Sequence, residues 1–136
     1  MIYSDPVEYS DDMRRSDYTM VSVKKAIADL IFSYKSDGED LLEVGVNHGT
    51  QTIYYHSKFI SPGRLEGYDW KDFREKSLQD RIIFSKVDIE VEKFPSVDAS
   101  FDVVVCNQVF EHLKNIFVPL TEIWRVLRIG GLLVSA

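Results

Sequence analysis

The chain has 136 residues, 45% of them hydrophobic and 28% charged, with a net charge of −6. That is enough for one domain with a sizeable core and an ordinary globular composition. The acidic balance and scattered basic residues argue against a nucleic-acid surface, and no apolar run nears the ~20 residues of a membrane span. The single cysteine, Cys106, leaves no intramolecular disulfide, and the first residues lack the basic-then-apolar pattern of a secretory signal, so a cytoplasmic location is expected.

Residues 1–18 are polar and acidic and read as an irregular arm, with Tyr3, Tyr9 and Tyr18 available to stack on a ligand ring. Val23, Ile27, Leu30, Ile31 and Tyr34 recur at three- and four-residue steps and predict a leading helix over 19–35. Residues 41–136 then read as the sheet core of the same single domain. A first strand is expected at about 41–46, a glycine loop after it, and a helix over about 50–59 capped by Thr50. A second strand runs from Arg64 to Tyr68 and ends at Asp69, with a short helix predicted over 71–78 and a third strand over 82–87. Phe101–Cys106 is an apolar strand without alternation, as expected where both faces are covered. Asn115 reads as the cap of a helix over 116–128 with Leu120, Ile123, Trp124 and Leu127 as its buried stripe. Gly130-Gly131 should end that helix, and Leu132 should open a fifth strand. Strands alternating with helices imply right-handed crossovers and an α/β fold with a parallel sheet.

The informative stretch is Leu41-Leu42-Glu43-Val44-Gly45-Val46-Asn47-His48-Gly49. Gly45 and Gly49 allow a tight turn and close approach of a ligand, and Asn47 tolerates positive φ. Glu43 would repel a dinucleotide pyrophosphate, so the turn better suits an adenosine ligand carrying positive charge, S-adenosylmethionine (SAM) rather than NAD. Asp69, 20 residues after Gly49, is spaced to bind ribose hydroxyls, with Trp70 beside it; its plainer role is a helix cap. Asp88 can accept from the adenine amino group and Ile89 can offer backbone and an apolar contact, against the plainer role of a strand-end turn. Asn107 follows the fourth strand, where it can touch the ligand and Phe110 can pack on it. His112 is the candidate general base and Glu111 its orienting partner, with bracing of the next helix as the alternative. Two adjacent ligands do not make a metal site, so no metal is expected. Cys106 and Asp102 read as structural, His56 as packing, and His48 as contributing backbone only.

Four stretches occur in order: Leu41 to Gly49, Gly67-Tyr68-Asp69, Phe101 to Leu113, and Glu122 to Val134. Over about residues 41–136 they resemble a class I SAM-dependent methyltransferase of the small-molecule "type 11" kind. The resemblance implies SAM as cofactor, with Glu43, Gly45, Gly49 and Asn107 at its methionine part, Asp69 at the ribose, and Asp88 and Ile89 at the adenine. It implies a Rossmann-like α/β parallel sheet of order 3-2-1-4-5 with helices on both faces, and methyl transfer to a small-molecule acceptor. Asn47 stands where the family has its middle glycine, and Ile129 where it usually has proline. The family's sheet continues with two further strands, which are not found before Ala136. The chain is therefore expected to be truncated after its fifth strand. It would act as a methyltransferase, or hold SAM or S-adenosylhomocysteine (SAH) without turnover, and a homodimer would cover the exposed edge of the fifth strand.

Overall fold

Leu41, Leu42 and Val44 are fully buried, as are Val103, Val104, Val105 and Cys106. Strands this apolar on both faces belong in the middle of a covered sheet. In the computed structural model, which describes residues 11–136 with side chains from residue 22, they are the central strands β1 (Leu41–Val44) and β4 (Phe101–Cys106). β2 (Leu65–Asp69) and β3 (Ile83–Lys86) extend the sheet on one side and β5 (Leu127–Ser135) on the other. The order is β3-β2-β1-β4-β5, as the resemblance implies, and every pairing is parallel, as the alternation of strands and helices predicts. Leu41 aligns with Leu65 on one side and Val103 on the other, which brings the carboxyl ends of β1, β2 and β4 to one rim.

Alternate residues along each strand supply two cores. Leu41, Val103 and Val105 face α1 (Asp11–Lys35) and α2 (Thr50–His56), joining Ile27, Ala28, Ile31, Tyr55 and Phe59. Leu42, Val44, Val104 and Cys106 face the opposite layer with Tyr68, Phe94 and, from α3 (Phe117–Val126), Ile123 and Val126.

Several local expectations are corrected. α1 begins at Asp11, so residues 11–18 are helix rather than arm; the stretch from 11 to 35 contains no glycine or proline to stop it. The rest of the arm, with Tyr3 and Tyr9, lies outside the described residues. α2 is capped by Gly49 in a left-handed conformation, not by the Thr50 side chain. Between 71 and 78 only the single 3₁₀ turn Lys76–Leu78 forms. Arg74 instead wraps onto the Asp72 carboxylate (2.9 and 2.8 Å) and the Gln79 carbonyl (2.9 Å), local bonds that compete with a helix.

The buried face of α3 is Pro119, Ile123 and Val126, whereas Trp124 is 83% exposed and Leu120 is also exposed. Asn115 lies one residue before the helix cap, where its Oδ1 accepts the Phe117 N–H at 2.8 Å. Gly130-Gly131 does not end the helix. α3 passes straight into β5 at Leu127, and the glycines lie in a bulge where the register jumps from Phe101–Leu127 to Val103–Leu132. Gly130 supplies the positive φ (79°) that the bulge needs.

Candidate functional site

After Val44 the chain reverses through Gly45 (φ 80°), Asn47 (φ 50°) and Gly49 (φ 88°). Left-handed backbone costs glycine nothing and asparagine little, so residue type alone shapes this turn. The Gly45 and Val46 N–H groups both donate to the Tyr68 carbonyl (2.8 and 3.0 Å), which ties the turn to β2. A Cβ on Gly45 would lie 2.5 Å from Val109 Cγ2, so the loop after β4 rests directly on the turn. Three segments thus meet at one rim of the sheet: the glycine turn, the end of β2 at Asp69, and Asn107–Val109.

Asp69 closes β2 with its carboxylate oriented by backbone. Oδ2 accepts the Asn47 N–H at 3.0 Å and Oδ1 accepts the Trp70 N–H at 2.9 Å. Each oxygen keeps acceptor capacity. Partial burial lifts this carboxyl above its ordinary value, against the pull of those two N–H groups. The adjoining Trp70 ring is largely exposed and stands edge-on to Phe73, with centroids 5.2 Å apart.

Glu43 lies beneath the turn. It shares the strand face of Leu41, so it points at α2 rather than at the opposite layer. It is 3% exposed, and Thr52 of α2 donates its hydroxyl to Oε2. Burial pushes the carboxyl up to about 8; the Thr52 bond opposes this, Asp69 adds to it, and Lys24 opposes it. Glu43 is therefore mainly protonated at neutral pH.

Asn107 follows β4. Its side chain lies near the Tyr55 hydroxyl, which donates to Gln51 Oε1 at 3.3 Å. Asn107 Oδ1 is buried and has no hydrogen-bond partner among the described residues. A buried acceptor left unmade costs roughly 1–3 kcal/mol, which singles this atom out as one awaiting a donor.

Asp88 is exposed and begins a turn, its Oδ1 accepting the Glu90 N–H at 3.2 Å. Ile89 is half-buried against the second core, and Phe110 packs into that core as well. Glu111 and His112 form a loose pair on the short turn Phe110–His112, with 3.8 Å between Oε1 and Nε2 and both side chains about half-exposed.

Among the remaining candidates, burial, with Glu43 and Glu111 nearby, pushes the Cys106 thiol up to about 12, which removes it as a nucleophile. His56 packs edge-on against Phe59, and burial holds its imidazole below the ordinary value. His48 contributes more than backbone: its Nδ1 meets the Phe73 carbonyl at 3.2 Å and braces the loop after β2. Thr52 and Tyr55 were not picked out from sequence. Both are buried residues of α2, three apart, and their facing of Glu43 and Asn107 follows only from how α2 lies on the sheet.

The family model described as "Methyltransferase domain" matches residues 42–135. A probable S-adenosylmethionine-dependent methyltransferase of Mycolicibacterium smegmatis is 34% identical over 104 residues, which are 73% of this chain and 38% of that protein. The chain thus spans well under half the length of this relative. A protein of Pyrococcus horikoshii superposes with a TM-score of 0.71 at 16% identity, over 93% of this chain and 58% of that one. Geranyl diphosphate C-methyltransferase of Streptomyces coelicolor, solved with magnesium, geranyl diphosphate and SAH, superposes with a TM-score of 0.68 at 18% identity, over 97% of this chain and 52% of that one. The match covers the sheet from β1 to β5 together with the rim where the glycine turn, Asp69 and Asn107 meet, and the chain belongs to the methyltransferase-domain family, whose cofactor is S-adenosylmethionine.

Proposed function

We propose that this chain is the SAM-binding part of a methyltransferase that acts on a small-molecule acceptor. The observation that carries the reading is Asn107 Oδ1, a buried acceptor with no partner among the described residues, beside the glycine turn. A ligand ammonium would satisfy it. Asp69, fixed by two N–H groups, has lone pairs left for ribose hydroxyls. Gly45, Asn47 and Gly49 present backbone to the methionine part, with Glu43 behind them. Asp88, Ile89 and the exposed Trp70 ring would receive the adenine.

When bound, SAM supplies a methyl group on a sulfonium, already a strong electrophile. The protein's work is then alignment of the acceptor for in-line displacement. In this reading His112 removes the acceptor's proton and Glu111, 3.8 Å away, orients its imidazole. A small acceptor is in keeping with the geranyl diphosphate bound in the Streptomyces coelicolor enzyme. A second reading, a domain that holds SAM or SAH without turnover, is favoured by the half-exposure of Glu111 and His112, which leaves the reacting groups open to water.

Thermal unfolding with SAM, SAH and NAD tests the ligand. SAM or SAH at about 100 times its Kd should stabilise the fold by ~2.7 kcal/mol, a shift of several degrees. NAD should do nothing, and Asp69→Asn should abolish the SAM shift. A shift with NAD alone would sink the reading. Methyl transfer across an acceptor panel separates the two readings, the enzyme losing about a hundredfold in kcat in His112→Ala.

A further inference from the structure

We infer that Glu90 is a positioning residue for the acceptor side, tying the turn that carries Glu111 and His112 to the loop that would receive the adenine; this rests on the SAM-binding reading above. Glu90 lies on the loop after β3, and its N–H donates to Asp88 Oδ1 at 3.2 Å. Asp88 is clasped in turn. Its N–H donates to Glu92 Oε2 at 3.0 Å, and its carbonyl accepts the Val91 and Glu92 N–H groups at 3.2 and 2.8 Å. The loop is therefore a closed unit rather than a slack connection. The Glu90 side chain leaves it for a distant part of the chain. Oε1 accepts two successive N–H groups, that of Lys114 and that of Asn115 (3.1 Å). Lys114 and Asn115 are exposed, so without Glu90 these N–H groups would face water. A carboxylate accepting from backbone amides makes the stronger kind of hydrogen bond. His112 stands just ahead of this tie, and its own N–H donates to the Val109 carbonyl at 3.0 Å. The turn Phe110–His112 is thus held at both ends. Ile89 and Phe110 both pack against the second core, which pins the two loops from below as well. An adenine seated on Asp88 and Ile89 would restrict the first loop, and Glu90 would carry that restriction to residues 110–115. Cofactor binding then readies the acceptor side before the acceptor arrives.

The test is hydrogen exchange at the Lys114 and Asn115 amides, read by NMR on the whole chain. It is run with and without SAH or 5′-methylthioadenosine, which carries the adenosine without the amino-acid end, each at a concentration that calorimetry shows to be saturating. In the wild type either ligand should slow both amides about fivefold or more, because the route runs from the adenine end. Glu90→Ala should speed both amides roughly tenfold without ligand, the loss of a charge-assisted hydrogen bond, and leave them indifferent to either ligand. Glu90→Gln, which keeps an acceptor oxygen, should restore most of the protection and the response to ligand. A merely structural Glu90 would speed exchange when removed, yet the wild-type amides would not respond to ligand. That outcome overturns the inference, as does a response that survives in Glu90→Ala or one that SAH gives and methylthioadenosine does not. Should Glu90→Ala not fold, the wild-type amides with and without ligand decide the matter alone. Wild-type protein that binds neither ligand by calorimetry overturns the SAM-binding reading itself and the inference with it.

Discussion

Glu43 is a carboxyl held where water does not reach it, and its protonation sets a pH dependence for the whole fold. The folded value is about 8, while an unfolded chain has the ordinary ~4.3. Between these limits the folded protein keeps a proton that the unfolded chain has lost. Stability must therefore fall as pH rises through that window and level off above it. Glu43→Gln removes the titration while keeping an acceptor for Thr52. It should raise stability at pH 7.5 by at most about 4 kcal/mol, and by little near pH 4. Urea unfolding at pH 4, 6 and 7.5 checks this, and a difference constant across pH would show that Glu43 does not titrate in this window.

At the scale of elements, the glycine turn depends on how closely β2 approaches it. A Cβ on Gly67 would lie 2.5 Å from Val46 Cγ2 and 2.6 Å from Val46 Cβ. Gly67→Ala should cost about 1–3 kcal/mol through overpacking, and Val46→Ala in the same chain should recover part of it, a coupling that a double-mutant cycle in urea measures. Additive costs would mean that the two residues do not press on each other. Nothing in the local sequence announces this contact. The strands and the acids at their ends were legible because apolar runs and their punctuation are local signals, and the strand order followed from the resemblance of the four motifs together. Gly45, Asn47, Asp69 and Asn107 reach one rim as a consequence of that order. The Thr52 partner of Glu43 was not legible, because it depends on the rotation of α2 over β1. Gly130-Gly131 reads as a helix stop because glycine is common there, yet the same pair serves equally well in a bulge. Trp124 reads as buried because hydrophobicity says nothing about which face of α3 meets the sheet.

Over the whole molecule, polar chemistry is divided between the two ends of the sheet. The carboxyl ends of the strands carry Glu43, Asp69 and Asn107. The opposite rim carries a knot that holds strands together. There Asp102, on β4, accepts the Glu39 and Asp40 N–H groups at 2.8 and 2.9 Å. Arg128 of β5 bridges Asp102 (2.8 Å) and Asp40 (2.7 Å), and Asp40 also accepts the Arg64 N–H at 2.6 Å ahead of β2. One carboxylate pair thus joins β1, β2, β4 and β5 without touching the candidate site. Burial opposes ionisation of Asp102, but the two N–H groups and Arg128 outweigh it and hold its carboxyl below the ordinary value. The sign is opposite to that of Glu43. The stability Asp102 contributes is fully present above the unfolded value near 3.9 and is lost as pH falls through the lower folded value. Asp102→Asn should therefore cost about 1–3 kcal/mol at pH 7, with the gap to wild type closing below about pH 4. SAH affinity should stay unchanged in the same variant, since the knot and the site sit at opposite rims. Urea unfolding across pH, with SAH calorimetry at pH 7, measures both. A loss of SAH affinity in the folded variant would mean that the two rims are coupled through the sheet.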